Sequence, residues 1–253
     1  MSSSEEIPPF PTARLGGVCL PLTPLVEAAY RYVHLHLSPT IINHTIRSAF
    51  FSLILREKLA QFSTVNPETV VTAILFHDLG WSSTPELVSK DKRFEVDGAN
   101  VARDFVKAHH QSQTQSDEEW DEERLKGLWY AIALHATPSF ATHAPALTAI
   151  TSLAISSDFV GPNIRFPGAG NANVQLITPA EFKEIIHVYP RLGFKEEMRE
   201  IICGLCRSKP QTTFDNFAAD YGKRLVPGYA EKLEEASPMK RLEAGLDATV
   251  QFE

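Results

Sequence analysis

An almost wholly apolar helix is the feature that most constrains how this chain can fold. Asn66 can cap the helix predicted over 67–79, and Gly80 can end it. The body of this helix, residues 70–76, is apolar nearly all round. Because such a helix has no face to turn toward solvent, we expect it at the centre of a domain, enclosed by other elements.

Helical patterns continue along most of the chain, and no convincing run of alternating apolar and polar residues predicts a strand. The predicted helices are 22–36, 40–62, 67–79, 93–110, 117–136, 144–160, 179–188, 194–207, 211–222 and 228–236. The Pro-rich residues 1–20 are interpreted as a flexible leader and residues 237–253 as a C-terminal tail. The sequence therefore predicts an all-α fold, a single helical bundle over residues 21–236.

The composition of the 253 residues argues against several classes of partner. A net charge of −7 disfavours nucleic acid or an anionic membrane, since both attract basic surfaces. No stretch approaches the roughly 18 apolar residues of a membrane span, and the polar start of the chain is not a secretory signal. The three cysteines, few and odd in number, favour a reducing compartment. We expect a cytoplasmic protein with a small-molecule substrate, and a homo-oligomer stays open.

Two segments leave their roles open. Residues 161–176 are rich in Gly, Pro and Asn and predict a long loop, of a kind that often serves as an active-site lid. Cys203 and Cys206 form a C-x-x-C pair inside the helix predicted over 194–207. No second cysteine pair accompanies them, so we interpret them as core residues rather than as a redox or zinc site.

Polar side chains interrupt the apolar faces of several predicted helices. Asp158 continues the inward stripe of the helix 144–160, and His135 does the same near the end of 117–136. His44 lies in a segment otherwise rich in Ile, Leu and Phe. One inward histidine alone is more often a hydrogen-bonded core residue than a ligand. A buried carboxylate, however, is costly unless a cation or several donors meet it.

His77 and Asp78 end the apolar central helix. Adjacent residues on a helix diverge by about 100°, so both side chains can reach one ion only where the helix ends and Gly80 frees the chain. A divalent cation would satisfy the inward histidines and aspartates together, because it neutralises carboxylates and binds neutral imidazoles.

This ordered set of residues resembles the HD-domain superfamily, which places a His on one helix, a His-Asp pair on the next and an Asp on a later one. The matches are His44 in NHTIRS, His77 and Asp78 in LFHDLG, and Asp158 in AISSDFVG. The resemblance covers roughly residues 40–160 and implies an all-α HD domain with these four residues as ligands of one divalent metal ion. Zinc is the first expectation, with iron, manganese, cobalt and nickel left open.

Four further segments resemble the HD proteins described as cyanamide hydratase-like in fungi and bacteria. They are LFHDLGW, KRFEVDGANVARDF, WYAIALHATPS and SKPQTTFDNF. HD enzymes with two metals carry a His in a His-x-x-x-Gly pattern where this chain has Phe94, which favours a single ion. HD nucleotidases often place a Glu three residues after the HD aspartate, where this chain has Trp81.

The resemblance implies a metal-dependent hydrolase or hydro-lyase that uses a metal-bound hydroxide on a small molecule. For the cyanamide hydratase type, the reaction would be hydration of the nitrile cyanamide to urea. His135 and Asp97 are the predicted catalytic residues, which would orient water and move protons.

Further residues are predicted around the ion. Arg47 would orient one of the ligand carboxylates. Trp81, Phe94 and Phe166 would form a small apolar pocket for the substrate.

Two alternatives remain open. One is a phosphohydrolase acting on a nucleotide or another phosphomonoester, in which basic side chains would bind the phosphate. The candidates for that role are Lys90, Lys92, Arg93 and Lys209. The other is a non-catalytic HD scaffold kept for binding or regulation.

Overall fold

The computed structural model describes residues 7–112, 120–166 and 175–252, and within these the fold is all-helical, as predicted. The described residues contain no strand, and Leu15 and Val18 form an isolated bridge. The α-helices are α1 Pro24–His36, α2 Pro39–Lys58, α3 Pro67–Phe76, α4 Phe94–Ser112, α5 Glu122–Ala133, α6 Pro138–Ala141, α7 Ala146–Val160, α8 Pro179–Val188, α9 Phe194–Ser208, α10 Ala218–Leu225, α11 Tyr229–Glu235 and α12 Pro238–Thr249.

Local capping sets where several of these helices begin. Thr23, Ser38 and Asn66 each accept a hydrogen bond from a backbone N–H in the first turn of α1, α2 and α3. Thr178 forms a reciprocal capping box with Glu181 at the start of α8. A proline follows each cap, where its missing N–H costs nothing. The capping residues and prolines therefore set the first residue of each of these four helices.

The chain divides into two compact units, Met1–Ser89 with Phe94–Phe194, and Lys90–Arg93 with Lys195–Glu253. In the first unit α3 is central, because α1, α2, α4, α5 and α7 all pack against it. Every α3 residue from Thr69 to Phe76 is buried, as the apolar pattern predicts. The single domain predicted over 21–236 stays a prediction.

Cys203 and Cys206 are buried, free thiols on α9. The thiol of Cys206 donates to the backbone carbonyl of Ala218 at 3.4 Å. Neither cysteine belongs to a group that could hold a metal within the described ranges. These contacts agree with a role in packing.

Some element boundaries differ from the sequence-based ones. The helix predicted over 67–79 ends at Phe76, because the chain tightens into a 3-10 turn at Leu79–Trp81. Residues 238–249 form α12, although no helix is predicted in that tail. Because α12 buries no residue, packing against a core has left no pattern in its sequence from which the helix could be predicted.

The structure describes only part of the predicted loop and of the predicted leader. The loop predicted over 161–176 begins with a 3-10 turn at Gly161–Asn163, and residues 167–174, where a lid is predicted, lie outside the described residues. In the predicted leader, Leu15, Val18 and Leu20 are buried. Over the described ranges, no helix has both the length and the apolar character needed to cross a membrane.

Candidate metal centre

The end of α3 and the middle of α2 bring three polar side chains together in the core of the first unit. His44 lies on α2, His77 caps the C-terminus of α3, and Asp78 begins the 3-10 turn that follows. All three side chains are at most 1% exposed. The early end of α3 lets neighbouring residues turn toward one point.

Two glycines allow α4 to pack closely against this turn. A Cβ added at Gly80 would lie 2.0 Å from the carbonyl oxygen of Phe94, which is backbone and cannot swing away. A Cβ added at Gly98 would lie 3.0 Å from the carbonyl oxygen of His77. The start of α4 therefore packs backbone to backbone against the His-Asp segment.

Three side-chain atoms face one another as a triangle, defined here as Nε2 of His44, Nε2 of His77 and Oδ2 of Asp78. The two nitrogens lie 3.3 Å apart. Oδ2 lies 3.0 Å from Nε2 of His77 and 3.7 Å from Nε2 of His44. Among the described residues, these three form the one group of His, Cys, Asp and Glu side chains compact enough to hold a metal ion.

In each ring, the hydrogen bond of Nδ1 decides whether Nε2 presents a proton or a lone pair to the triangle. Nδ1 of His77 lies 2.6 Å from the carbonyl oxygen of Ile74, which can only accept, so Nδ1 carries the proton. Nδ1 of His44 lies 2.7 Å from the carboxylate of Asp158, which places its proton there as well. Both Nε2 atoms therefore present lone pairs to each other and to the Asp78 carboxylate.

A divalent ion fits this arrangement. Three lone-pair atoms at these distances repel one another without a cation, and Oδ2 of Asp78 is buried without a hydrogen-bond donor among the described residues. Ligands at about 2.0–2.1 Å from a tetrahedral zinc ion lie about 3.3 Å from one another, which is close to the average edge of the triangle. Imidazole and carboxylate also suit other first-row divalent ions.

Comparison with known families agrees with this geometry. Residues 41–139 match the family model of the HD domain. Over this segment the chain is similar to the HD domain. HD domains are generally metal-dependent hydrolases, and the matched segment contains the whole triangle. A search of curated proteins found no match.

Asp158, which lies beyond the segment matched to the HD domain, makes contacts other than those predicted. Its carboxylate accepts hydrogen bonds from Nε and Nη2 of Arg47 at 2.7 and 2.6 Å, and from Nδ1 of His44. Both oxygens are thus engaged on the side of the His44 ring that faces away from the triangle. The role of Asp158 as a fourth ligand stays a prediction, whereas the predicted contact of Arg47 with a carboxylate is present.

Sequence reasoning missed the segment 189–194, which covers the same side of the His44 ring as Asp158. The carbonyl oxygens of Tyr189 and Pro190 accept from Nη1 of Arg47 at 3.0 and 3.3 Å. The ring of Phe194 stacks on that of His44, with centroids 4.5 Å apart. Every residue has a backbone carbonyl, so the sequence could not predict the contacts of Tyr189 and Pro190 with Arg47. Only the aromatic side chain of Phe194 could have pointed to this segment.

His135 lies beside the triangle. Its ring meets that of His77 edge-on, with centroids 4.9 Å apart. Its Nδ1 lies 2.7 Å from the carbonyl oxygen of Ile132, so Nε2 carries the free lone pair. Burial lowers the pKa of His135 to about 3. His135 is therefore a neutral hydrogen-bond acceptor, and its catalytic role stays a prediction.

The three aromatic residues predicted to form a substrate pocket make two separate sets of contacts. Trp81 and Phe94 are in contact, with centroids 5.1 Å apart, and Phe94 meets the His135 ring at 5.8 Å. Phe166 instead packs on Phe62. The first two residues thus form an aromatic wall next to His135.

Asp97, the second predicted catalytic residue, is buried in the first turn of α4. Its Oδ2 accepts a hydrogen bond from the backbone N–H of Ser89 at 3.1 Å. This contact fixes the loop before α4. The part of Asp97 in proton transfer stays a prediction.

Charge in the candidate metal centre is set by burial and by close partners. Burial lowers the pKa of His44, although the contact with Asp158 opposes it. Burial alone would raise the pKa of Asp158, but hydrogen bonds from Arg47 and His44 hold it well below its usual range. An ionised Asp158 and a neutral His44 leave the Nε2 lone pair of His44 available, as metal binding needs.

Proposed function

We propose that this protein is a metal-dependent hydrolase or hydro-lyase that acts on a small molecule. The observation that carries the proposal is the buried triangle of His44, His77 and Asp78, whose lone pairs converge without a donor between them. The match of residues 41–139 to the HD-domain family supports the same class of chemistry. Zinc is the metal we propose, because two imidazoles and a carboxylate are a common zinc ligand set.

The chain's own residues have distinct parts in this proposal. A bound ion would lower the pKa of a water molecule and polarise the substrate. His135 would accept a hydrogen bond from the attacking water through its free Nε2, because its Nδ1 is held by Ile132. Asp158 and Arg47 would keep the His44 ring in the orientation that aims Nε2 at the ion.

The finer proposal is hydration of a nitrile such as cyanamide to urea. It is supported by the resemblance of four sequence segments to cyanamide hydratase-like HD proteins. It is also supported by the uncharged wall of Trp81, Phe94 and His135, which suits a small neutral substrate better than an anion. In a buried site, an anion needs cationic partners.

The test measures metal content and urea formation in the same samples. We expect wild-type protein to carry a divalent metal and to convert cyanamide to urea, and the His77→Ala variant to do neither. The control is His187→Ala, which removes an exposed histidine of α8 and is expected to keep both properties. A metal-loaded wild type that makes no more urea than His77→Ala would contradict the cyanamide proposal.

The same samples separate the two alternatives. Release of phosphate from nucleotides that depends on His77, without urea formation, would favour the phosphohydrolase. Two of its predicted phosphate-binding residues are engaged elsewhere, since Lys209 donates to the carbonyl of Lys92 and Arg93 pairs with Asp215. A folded protein that binds none of zinc, iron, manganese, cobalt and nickel would favour the non-catalytic scaffold.

A further inference from the structure

Trp81 ends the 3-10 turn that follows α3. Its backbone N–H donates to the carbonyl oxygen of Asp78 at 2.8 Å. A single turn of backbone therefore joins Trp81 to the residue whose carboxylate belongs to the triangle.

The indole N–H of Trp81 is a buried donor without an acceptor among the described residues. The other two tryptophans show what this side chain usually finds. Nε1 of Trp129 donates to Asn100 at 3.0 Å, and Nε1 of Trp120 donates to Glu68 at 3.2 Å. A buried donor left unpaired costs free energy, because it has lost its hydrogen bond to water. Trp81 alone of the three carries that cost, and its indole packs on Phe94, which meets the His135 ring.

The residues around this indole N–H indicate what kind of ligand could accept its hydrogen bond. Trp81 packs on Phe94, and Phe94 meets His135, whose Nε2 offers a lone pair and no proton. The guanidinium of Arg47, on the far side of the His44 ring, already binds Asp158 and two backbone carbonyls. The wall therefore combines one N–H donor with apolar surface and no charge. An uncharged ligand with an acceptor atom matches it.

We propose that the indole N–H of Trp81 binds the acceptor atom of a small neutral substrate, the nitrile nitrogen or carbonyl oxygen on which negative charge develops during reaction. This inference rests on the proposed function and names the substrate class of that same site. When water adds across a C≡N bond, a C–O bond forms while one π electron pair moves to nitrogen, which then takes a proton from the water. A donor aimed at that nitrogen stabilises the charge as it forms.

The first test observes the indole proton directly and needs no measurement of a rate. Protein labelled with 15N in tryptophan and loaded with zinc gives one indole N–H resonance for each of its three tryptophans, and Trp81→Phe identifies that of Trp81 by its loss. We expect cyanamide and urea to shift the Trp81 resonance downfield to saturation, while those of Trp120 and Trp129 stay in place as internal controls. Inorganic phosphate should leave all three unchanged.

Two results would overturn the inference. One is a Trp81 resonance that neither neutral probe moves, and the other is one that phosphate moves instead. A shift with cyanamide in protein that makes no urea would support the role of Trp81 while contradicting the cyanamide reaction. The failure of the inference and the failure of the proposed function are therefore distinguishable.

The second test separates a donor from a packing residue. Trp81→Phe keeps an aromatic ring against Phe94 but removes the N–H. We expect kcat to fall about 100-fold, as for other single donors to a developing anion, with metal content and melting temperature unchanged. A kcat within twofold of wild type would show that Trp81 only packs.

Discussion

Individual histidines in this site are oriented by the nitrogen that faces away from the triangle. His77 and His135 each use Nδ1 to bind the carbonyl three residues earlier, whereas His44 uses the carboxylate of Asp158. Residue types and helical spacing predicted inward histidines and aspartates that could share a cation, and the HD-domain resemblance selected His44, His77 and Asp78 among them. The tautomer of His44 and the engagement of Asp158 were not predictable, because they depend on a contact between residues 114 positions apart.

Asp158→Asn tests whether Asp158 orients His44 or binds the ion. From the observed contacts, we expect the variant to bind zinc about 10–100-fold more weakly than wild type, as when the partner of a metal-bound histidine is lost. Isothermal titration of the metal-free protein with zinc measures this difference. Asp78→Asn, an equally small change at a triangle atom, should abolish binding. Asp158→Asn protein that folds but binds no zinc, like Asp78→Asn, would instead support the four-ligand prediction.

At the scale of elements, the site depends on how α3 ends and how α4 begins. The apolar run and its Asn-Pro start predicted α3 and its central position correctly. The end of α3 at Phe76 was not predicted, because the 3-10 turn that follows depends on close backbone contact with α4 at Gly80. The segment 189–194 was missed for a related reason, since its backbone carbonyls bind Arg47 and leave no sequence pattern.

Gly80→Ala tests this close contact between elements. The added methyl group would meet the backbone of Phe94 at 2.0 Å, so we expect a loss of about 1–3 kcal/mol in the free energy of unfolding, or more, together with weaker zinc binding. Gly127→Ala is the matched control inside α5, where the new methyl group makes an ordinary contact at 3.5 Å. We expect that control to be stabilised by about 0.5–1 kcal/mol, as measured by urea denaturation. Equal stabilities for the two variants would contradict the role given to Gly80.

At the scale of the molecule, the helical fold follows from periodicity, because helices that share a core must each present an apolar face to it. That reasoning predicted the all-α fold and failed at α12, whose residues bury nothing. The division into two units also has no counterpart in the sequence analysis. The candidate metal centre lies wholly within the first unit, where one ion would join α2 to the end of α3.

The most direct measurement is anomalous X-ray diffraction from crystals of the zinc-loaded protein, with data collected on both sides of the zinc absorption edge. We predict a single strong anomalous peak bonded to Nε2 of His44, Nε2 of His77 and Oδ2 of Asp78, at about 2.0–2.2 Å from each. A zinc-loaded crystal with its peak elsewhere, or with no peak among these three atoms, would contradict the account.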